Sequence, residues 1–268
     1  MELRELGNTG VKVPEVGLGT WNYKTGPEPI RKAVELGSFL IDTAEMYGTE
    51  EAVGEAIKPI RDQVFLASKV SGNHLRYDMV LEAAEGSLRR MGVDYMDLYQ
   101  IHWPSHTVAI KDTMRAMETL VDRGLVKYIG VSNFNVQEMR DAMAAMSNYP
   151  IVANQVKYSL QVRHIERGLI PFCEENKVTV IGYSPLAVGA LAPKSGDGSG
   201  PGFKALQQVA QKHGKTVAQT AMAWCLRHPS MIVIPKSQNL GRIEENCGAA
   251  GWQLDTDDLQ ALDKAFPA

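Results

Sequence analysis

The chain lacks the features that would point to a membrane, to nucleic acid or to a disulfide-linked fold. Its apolar runs fall well short of the length needed to cross a bilayer. The net charge is only −3 over 268 residues, so no nucleic-acid or anionic-membrane partner is expected. The three cysteines are scattered, which fits reduced buried thiols and a cytoplasmic protein. The first ten residues, MELRELGNTG, contain no apolar core, so no secretory signal is expected.

A metal site is also not expected from the pattern of histidines. His102 and His106 are four residues apart, but Pro104 stands between them and no acidic residue accompanies them. The other histidines show no ligand-like spacing. No metal is therefore expected in this protein.

The sequence does contain a repeated pattern of short apolar runs that end in polar residues suited to chemistry. These ends are Asp42, Lys69, His102, Ser132–Asn133, Gln155, Tyr183–Ser184 and Pro235–Lys236. Segments of helical length and period separate the runs, which predicts parallel strands joined by crossover helices. The ends up to Tyr183 lie about 30 residues apart, room for one strand and one helix each. The interval from Tyr183 to Pro235 is much longer and must contain an additional element.

This pattern predicts an α/β fold of the (β/α)8 TIM barrel type, as one domain over residues 1–268. Residues 1–12 are expected to form an N-terminal β-hairpin, and PEVGLGTW (14–21) the first barrel strand. The segment DTDDLQALDKAF predicts a C-terminal helix. Residues 184–202 are rich in Gly, Pro and Ser and are expected to form a lid. Because parallel strands all end at one rim, the polar ends should converge there.

Four of the polar side chains suit proton transfer. Asp42 and Lys69 end neighbouring strands, and a buried lysine needs a carboxylate partner. Tyr47 follows Asp42 by five residues, and a nearby ammonium would lower the pKa of its phenol towards neutral pH. His102 could orient an incoming oxygen. Taken singly, an ion pair, a rim aromatic and a core histidine are the commoner interpretations, but their coincidence at matched strand ends favours a catalytic site.

These residues lie in motifs that resemble those of the aldo-keto reductase family along nearly the whole chain. The matching segments are GLGTW (17–21), IDTAEMYG (41–48), ASK (67–69), YQIHWP (99–104), GVSNF (130–134), NQ (154–155), YSPL (183–186) and IPKSQNLGRIEEN (234–246). The resemblance implies an oxidoreductase that reduces small aldehydes and ketones with a nicotinamide cofactor. It makes Tyr47 the general acid and Lys69 the group that tunes it. Asp42 would then hold Lys69, and His102 would orient the carbonyl.

The resemblance also implies a cofactor site. Its implied residues are Gly19, Thr20, Trp21, Ser132, Asn133, Gln155, Tyr183, Ser184, Pro185, Leu186, Lys236, Ser237, Arg242, Glu245 and Asn246. The side chains of Ser132, Asn133 and Gln155 would bind the nicotinamide amide. Tyr183 would stack on the ring. The loop at 184–202 would cover the pyrophosphate.

The preference for NADP(H) over NAD(H) depends on the last of these motifs. The family's pocket for the 2′-phosphate matches Lys236, Ser237 and Arg242, with Glu245 and Asn246 at the adenine. Two cations and a hydroxyl within seven residues suit a doubly charged phosphate. For Lys236 and Arg242 alone, the alternative is that they belong to a solvated basic surface. That alternative is less favoured because the IPKS segment ends a strand, where the other site residues also lie.

The substrate pocket is expected to be open. Trp21 and Trp103 follow strand ends and would form its apolar wall, as the resemblance implies. Short loops at the rim predict broad specificity for small carbonyl compounds. Where many relatives carry a small or polar residue after the YSPL turn, Ala187 and Val188 stand here, which puts one pyrophosphate contact and the tightness of the lid in doubt.

Three functions stay open at this point. The first is an NADP-dependent carbonyl reductase acting on a small-molecule substrate, which could also run as an alcohol dehydrogenase. The second is a barrel that binds NADPH as a regulatory subunit with little turnover. The third is a Schiff-base lyase with Lys69 as nucleophile, which would need a lowered pKa at that amine. A monomer is expected.

Overall fold

Eight parallel strands form a barrel, and an antiparallel hairpin accompanies it at the N-terminus. The computed structural model describes residues 1–192 and 199–268. Its hairpin strands are β1 Leu3–Glu5 and β2 Lys12–Pro14, and its barrel strands are β3 Leu18–Gly19, β4 Leu40–Asp42, β5 Phe65–Val70, β6 Met96–Ile101, β7 Val126–Ser132, β8 Ile151–Lys157, β9 Thr179–Tyr183 and β10 Met231–Ile234. Each barrel strand pairs with the next in sequence order. The predicted (β/α)8 barrel with its hairpin is confirmed.

Helices alternate with the barrel strands. They are α1 Glu28–Glu35, α2 Glu50–Ile57, α3 Tyr77–Met91, α4 Ile110–Asp122, α5 Val136–Ala144, α6 Leu169–Glu175, α7 Pro201–Lys212, α8 Val217–Cys225, α9 Leu240–Cys247 and α10 Thr256–Ala265. Both α7 and α8 lie between β9 and β10, which accounts for the long last interval. The expected C-terminal helix is α10. In the part of the chain that the structure describes, no helix is long and apolar enough to span a membrane.

The first barrel strand is shorter than the sequence predicted. Only Leu18–Gly19 pairs with β4 in a ladder, although the segment before it is extended. That segment forms hydrogen bonds with the last strand instead. The amide of Val233 donates to the carbonyl of Glu15 at 2.9 Å, and the amide of Gly17 donates to the carbonyl of Val233 at 2.8 Å. These bonds close the barrel. The hairpin also extends past residue 12, to Pro14.

Alternate residues along each strand point into the barrel, and this period of two positions the site. The inner residues near the strand starts and centres form one apolar cluster that includes Leu40, Phe65, Ala67, Leu98, Ala153, Ile181 and Ile232. Leu6 and Val13, which flank the hairpin turn, belong to the same cluster and cover the N-terminal end of the barrel. Two residues further along β4, β5, β6 and β8, the inward positions are polar: Asp42, Lys69, Gln100 and Gln155. The apolar floor therefore carries a polar layer at the C-terminal rim.

The predicted lid at 184–202 ends earlier than expected, because α7 begins at Pro201. Its first part contains a short 3-10 turn, Ala187–Gly189. Residues 193–198, in the middle of the predicted lid, lie outside the described residues. The prediction that this segment covers a cofactor stays a prediction.

Candidate active site

A buried ion pair lies at the centre of the rim. Nζ of Lys69 donates to Oδ1 of Asp42 at 2.7 Å and to the backbone carbonyl of Thr43 at 2.8 Å. The side chain of Lys69 is 0% exposed and that of Asp42 is 3% exposed. Burial lowers the pKa of Lys69, while the charge and hydrogen bond of Asp42 oppose that shift. An ammonium has three N–H donors, so one remains for a further acceptor beyond these two.

Tyr47 lies on a 3-10 turn, Glu45–Tyr47, directly after β4. The turn is closed by a hydrogen bond from the amide of Tyr47 to the carbonyl of Ala44 at 3.0 Å. Nζ of Lys69 is 5.0 Å from the centroid of the Tyr47 ring. The ring of His102 meets the Tyr47 ring edge-on, with centroids 5.5 Å apart. The structure thus brings together the four side chains that the sequence selected.

The expected lowering of the Tyr47 pKa is wrong for the protein without a ligand. Burial, and next the negative charge of Asp42, raise the pKa of Tyr47 well above its ordinary value. The physical reason is that burial removes water from the phenolate and the negative charge of Asp42 repels it, and both effects favour the protonated phenol. Tyr47 is therefore a protonated phenol at neutral pH, which is the form a proton donor needs.

His102 directly follows β6, where its amide donates to the carbonyl of Val70 at 3.1 Å. Burial, and next the charge of Lys69, lower the pKa of His102 to about 4. Its imidazole is consequently neutral at pH 7. Nδ1 of His102 is buried and has no hydrogen-bond partner among the described residues. A neutral ring carries a single N–H, and Nε2, the nitrogen that is not closed off in this way, is the one that a ligand oxygen can reach.

Two glutamine side chains share the carboxylate of Asp42. Nε2 of Gln155 donates to Oδ2 of Asp42 at 2.8 Å, and Nε2 of Gln100 approaches the same oxygen at 3.4 Å. Because an ionised carboxylate only accepts, the amide nitrogen of Gln155 must face Asp42, and its Oε1 is the end left for a ligand. Gln100 was missed from the sequence. It lies on β6 two residues before His102, so the period of two could have found it.

The side chains expected to bind the nicotinamide amide form one connected group. Oγ of Ser132 donates to the carbonyl of Gln155 at 2.8 Å. Nδ2 of Asn133 donates to the carbonyl of His102 at 3.0 Å and to Oγ of Ser132 at 3.1 Å. The hydroxyl of Tyr183 donates to Oδ1 of Asn133 at 3.0 Å. Neighbouring strand ends are thus locked together beside the ion pair.

The rim carries exposed apolar side chains. Thr20, next to Gly19, is buried and its hydroxyl donates to the carbonyl of Asp42 at 2.9 Å. Trp21 is 58% exposed, Trp103 is 49% exposed, and Met46 is 61% exposed. Met46 was missed from the sequence, although its position directly before Tyr47 was the available signal. These three side chains would border a ligand that reaches Tyr47.

A cationic region lies where the segment after β10 meets β3. Lys236 forms a parallel bridge with Gly19. Burial, and next the charge of Lys24, lower the pKa of Lys236. The amide of Lys24 donates to Oε1 of Gln238 at 2.6 Å, which joins the two loops. Across residues 1–192 and 199–268, no carboxylate lies within 4.0 Å of the ammonium of Lys24 or Lys236. No sequence signal singled out Lys24.

The remaining predicted cofactor residues lie on both sides of this region. Ser237 bonds within its own turn, with Oγ 3.3 Å from the carbonyl of Asn239. Asn239 caps α9 by accepting from the amide of Arg242 at 3.0 Å. Glu245 is half-buried on α9, whereas Asn246 is buried and borders a small cavity behind β3. The remaining segment, Ser184 with Pro185 and Leu186, opens the predicted lid. The adenine and pyrophosphate roles of these residues stay predictions.

Comparison with known proteins gives one consistent family. A model described as the aldo/keto reductase family matches residues 15–266. Methylglyoxal reductase YeaE of Escherichia coli K12 is 37% identical over 96% of this chain and 93% of its own length. Glyoxal reductase of Bacillus subtilis 168 is 36% identical over 96% of this chain and 90% of its own length.

Solved structures agree. An aldo/keto reductase from Klebsiella pneumoniae in complex with NADP and acetate superposes with a TM-score of 0.89, at 35% identity over 99% of this chain and 95% of that one. The thermostable aldo-keto reductase Tm1743 superposes with a TM-score of 0.92, at 38% identity over 99% of this chain and 100% of that one. The chain belongs to the aldo/keto reductase family of oxidoreductases.

Proposed function

We propose that this protein reduces small aldehydes and ketones to alcohols, with NADPH as the preferred reductant. The observation that carries the proposal is the cluster of a protonated phenol, a neutral imidazole and a buried ion pair at one rim of the barrel. Relatives over nearly the whole chain are named methylglyoxal reductase and glyoxal reductase. A structural relative contains NADP.

In the proposed reaction, Tyr47 gives its proton to the carbonyl oxygen. NADPH, when bound, supplies the hydride that reaches the carbonyl carbon and is oxidised to NADP⁺. Lys69 stabilises the phenolate that Tyr47 becomes, and Asp42 keeps Lys69 charged although it is buried. The N–H of neutral His102 donates to the same oxygen and orients it. The phenolate then regains its proton from solvent, and the alcohol leaves.

The residues present fit a nicotinamide cofactor. Oε1 of Gln155 is the free end of an amide held by Asp42, so it can accept from the amide N–H of the ring. Tyr183 lies beside that position through its bond to Asn133. Lys236 with Lys24 provides positive charge without a carboxylate partner in the described part of the chain, which suits the 2′-phosphate. These features support NADP(H) over NAD(H).

Broad specificity is the proposal for the substrate. Trp21, Met46 and Trp103 offer exposed apolar surface rather than polar groups at fixed distances, so few contacts would select one carbonyl. Steady-state kinetics over a panel of aldehydes, dicarbonyls and sugar-derived ketones tests this point. A single large substrate preferred by orders of magnitude would contradict it.

The reaction itself is tested by the loss of NADPH absorbance with methylglyoxal, in wild type and in Tyr47→Phe. We expect Y47F to lower kcat at least about 100-fold, because general acid catalysis contributes that much or more. The Kd for NADPH should change less than about twofold, since the phenol hydroxyl is proposed to act on the substrate. Tyr95→Phe, directly before β6, is the matched control and should behave as wild type. A Y47F variant that keeps most of its kcat would refute the assigned acid.

The lyase alternative meets an obstacle in the structure. The pKa of Lys69 is lowered by burial, as a Schiff-base lysine needs, but its side chain is 0% exposed and its Nζ is engaged by two acceptors. A substrate carbonyl could reach it only after that arrangement opened. Borohydride treatment with methylglyoxal is therefore expected to leave Lys69 unmodified.

A further inference from the structure

The turn that carries Tyr47 is tied to the loop after β5 by the side chain of Glu45. Oε2 of Glu45 accepts from the amide of Ser71 at 2.8 Å. Its Oε1 lies 2.7 Å from Nδ1 of His74, which must carry the proton to donate to a carboxylate. Both oxygens of one carboxylate thus bind the same short loop, and the turn and the loop are joined side by side.

The loop that Glu45 binds is itself a connector. It leaves β5 two residues after Lys69, and the amide of His74 donates to the carbonyl of Ser71 at 2.9 Å, which folds it into a compact turn. A Cβ placed on Gly72 would lie 3.9 Å from Cβ of Trp103, so the loop passes beside the predicted substrate wall. Glu45 therefore links the turn of the general acid, the exit of the lysine strand and the apolar rim.

Other hydrogen bonds in the described part of the chain lie at the two ends of this turn. At its base, Nζ of Lys69 binds the carbonyl of Thr43, and the hydroxyls of Thr43 and Thr49 lie 3.0 Å apart. Between Thr43 and Thr49 the chain includes the exposed Met46 and the residue that ends the turn, Gly48, whose φ is +65°. The side chain of Glu45 is only 15% exposed, and hydrogen bonds to a carboxylate are among the stronger ones in proteins.

We propose that Glu45 is a positioning residue for the reaction: it holds the Tyr47 turn against the loop after β5, so that the phenol stays between Lys69 and the substrate oxygen. This inference rests on the proposed function of Tyr47. Glu45 touches neither substrate nor cofactor and acts only through the position of Tyr47 and of Trp103. A displacement of about 1 Å at a catalytic group can cost on the order of 100-fold in rate.

The test compares Glu45→Ala, Glu45→Gln and the control Glu51→Ala, an exposed acid at the start of α2. We expect E45A to lower kcat about 10- to 100-fold while the Kd for NADPH changes less than about twofold. With NADPH deuterated at the transferred position, the isotope effect on kcat should rise in E45A, because hydride transfer becomes slower.

E45Q can still accept from Ser71 and donate to His74, so it should restore kcat to within about fivefold of wild type. E51A should match wild type.

A double-mutant cycle and hydrogen exchange separate positioning from general structure. If Glu45 acts through His74, the losses in E45A and His74→Ala should be less than additive in the double variant. Deuterium uptake of the peptide that contains the Tyr47 turn should increase in E45A and not in E45Q, whereas peptides from α7 and α10 stay unchanged.

Two results would overturn the proposal. One is an E45A variant with kcat within about twofold of wild type and unchanged exchange at the turn. The other is a loss of kcat that E45Q does not restore and that accompanies a large fall in Tm, which indicates a structural role only. A wild-type protein that oxidises no NADPH with any carbonyl would instead refute the proposed function, and the exchange experiment would still test the contact.

Discussion

Nζ of Lys69 and Oδ1 of Asp42 lie 2.7 Å apart in a place that solvent does not reach. Burial lowers the pKa of the amine, and the carboxylate charge acts against that shift. The charge state of Lys69 therefore depends on its partner, because removal of one member of a buried ion pair leaves an uncompensated charge. The proposed stabilisation of a Tyr47 phenolate requires the charged amine.

Asp42→Asn is expected to move the pH profile of carbonyl reduction to lower pH. The substitution removes the charge that opposes the effect of burial, so the pKa of Lys69 falls further. A lysine loses its charge as pH rises through its pKa, and activity that needs the ammonium should then decline at lower pH than in wild type. The measurement is kcat between about pH 6 and about pH 10.

Asp94→Asn, at an exposed position before β6, is the control for that experiment and should leave the profile unchanged. Profiles of wild type and D42N that superpose after scaling would show that the charge of Lys69 does not limit the reaction. Binding of NADPH to D42N should be measured alongside, because Oδ2 of Asp42 also accepts from Gln155.

His102 is expected to make the protein less stable as pH falls. Its pKa is lowered to about 4 in the folded protein, against an ordinary value near 6.5 in the unfolded chain. Between those values the unfolded state binds a proton that the folded state does not, so the free energy of unfolding decreases as pH falls from 6.5 towards 4. From pH 7 to pH 5 the loss from this residue should be roughly 1–2 kcal/mol.

Chemical denaturation of wild type and His102→Gln at both pH values measures this effect. The variant lacks the imidazole, so its free energy of unfolding should fall by less than that of wild type. His106→Gln, an exposed histidine four residues away, should keep the wild-type dependence. An equal fall in wild type and H102Q would mean that His102 titrates normally in the folded protein.

Much of the barrel and of the site was predictable because both follow from the period of the strands. Polar residues at successive strand ends have to meet at one rim when the strands are parallel, and this placed Asp42, Lys69 and His102 correctly. The same reasoning extends to Gln100, an inward residue of β6 that lies two residues before His102. Local signals are also sufficient for some helix starts: Asn135 and, three residues on, Glu138 form a capping box at the start of α5.

What the sequence could not supply depends on contacts between loops and on burial. No local sequence pattern singles out Glu45 within the segment IDTAEMYG. Its hydrogen bonds to Ser71 and His74 form only when two loops are folded beside each other. The pKa of Tyr47 was predicted in the wrong direction because the sequence names the charged neighbours but not how far the phenol is desolvated. Lys24 likewise lies close enough to Lys236 for its charge to lower the pKa of that lysine, and no local sequence pattern predicts the loop conformation that places it there.

Lys236→Ala is expected to weaken NADPH binding selectively. A hydrogen bond to a charged group contributes about 1.5–3 kcal/mol, so the Kd for NADPH should rise on the order of 10- to 100-fold. NADH lacks the 2′-phosphate, and its Kd should change less than about twofold. Lys24→Ala should have a smaller effect of the same sign, about two- to fivefold, because its ammonium is exposed.

Titration of both cofactors by quenching of tryptophan fluorescence checks this prediction. Lys12→Ala, on the hairpin at the opposite end of the barrel, is the control and should bind both as wild type does. Equal losses for NADPH and NADH in K236A would indicate that Lys236 binds a group the two cofactors share, and the preference for NADPH would then need another source.

Val188→Gly is expected to stabilise the protein. Val188 has φ +57° and ψ +31° in the short turn after β9, and its side chain is 76% exposed. A β-branched residue is strained in this left-handed region, at a cost of roughly 1–2 kcal/mol, and the exposed side chain offers little packing in return. Glycine removes the strain but adds entropy to the unfolded chain, so the net gain should be about 0.5–1 kcal/mol. Thermal unfolding should show a Tm higher by about 1–4 °C.

Ala190→Gly, two residues on at φ −62°, is the control, and there the added entropy acts alone and should lower the Tm. A V188G variant that also lowers the Tm would mean that the left-handed conformation at this turn carries no strain that glycine can relieve.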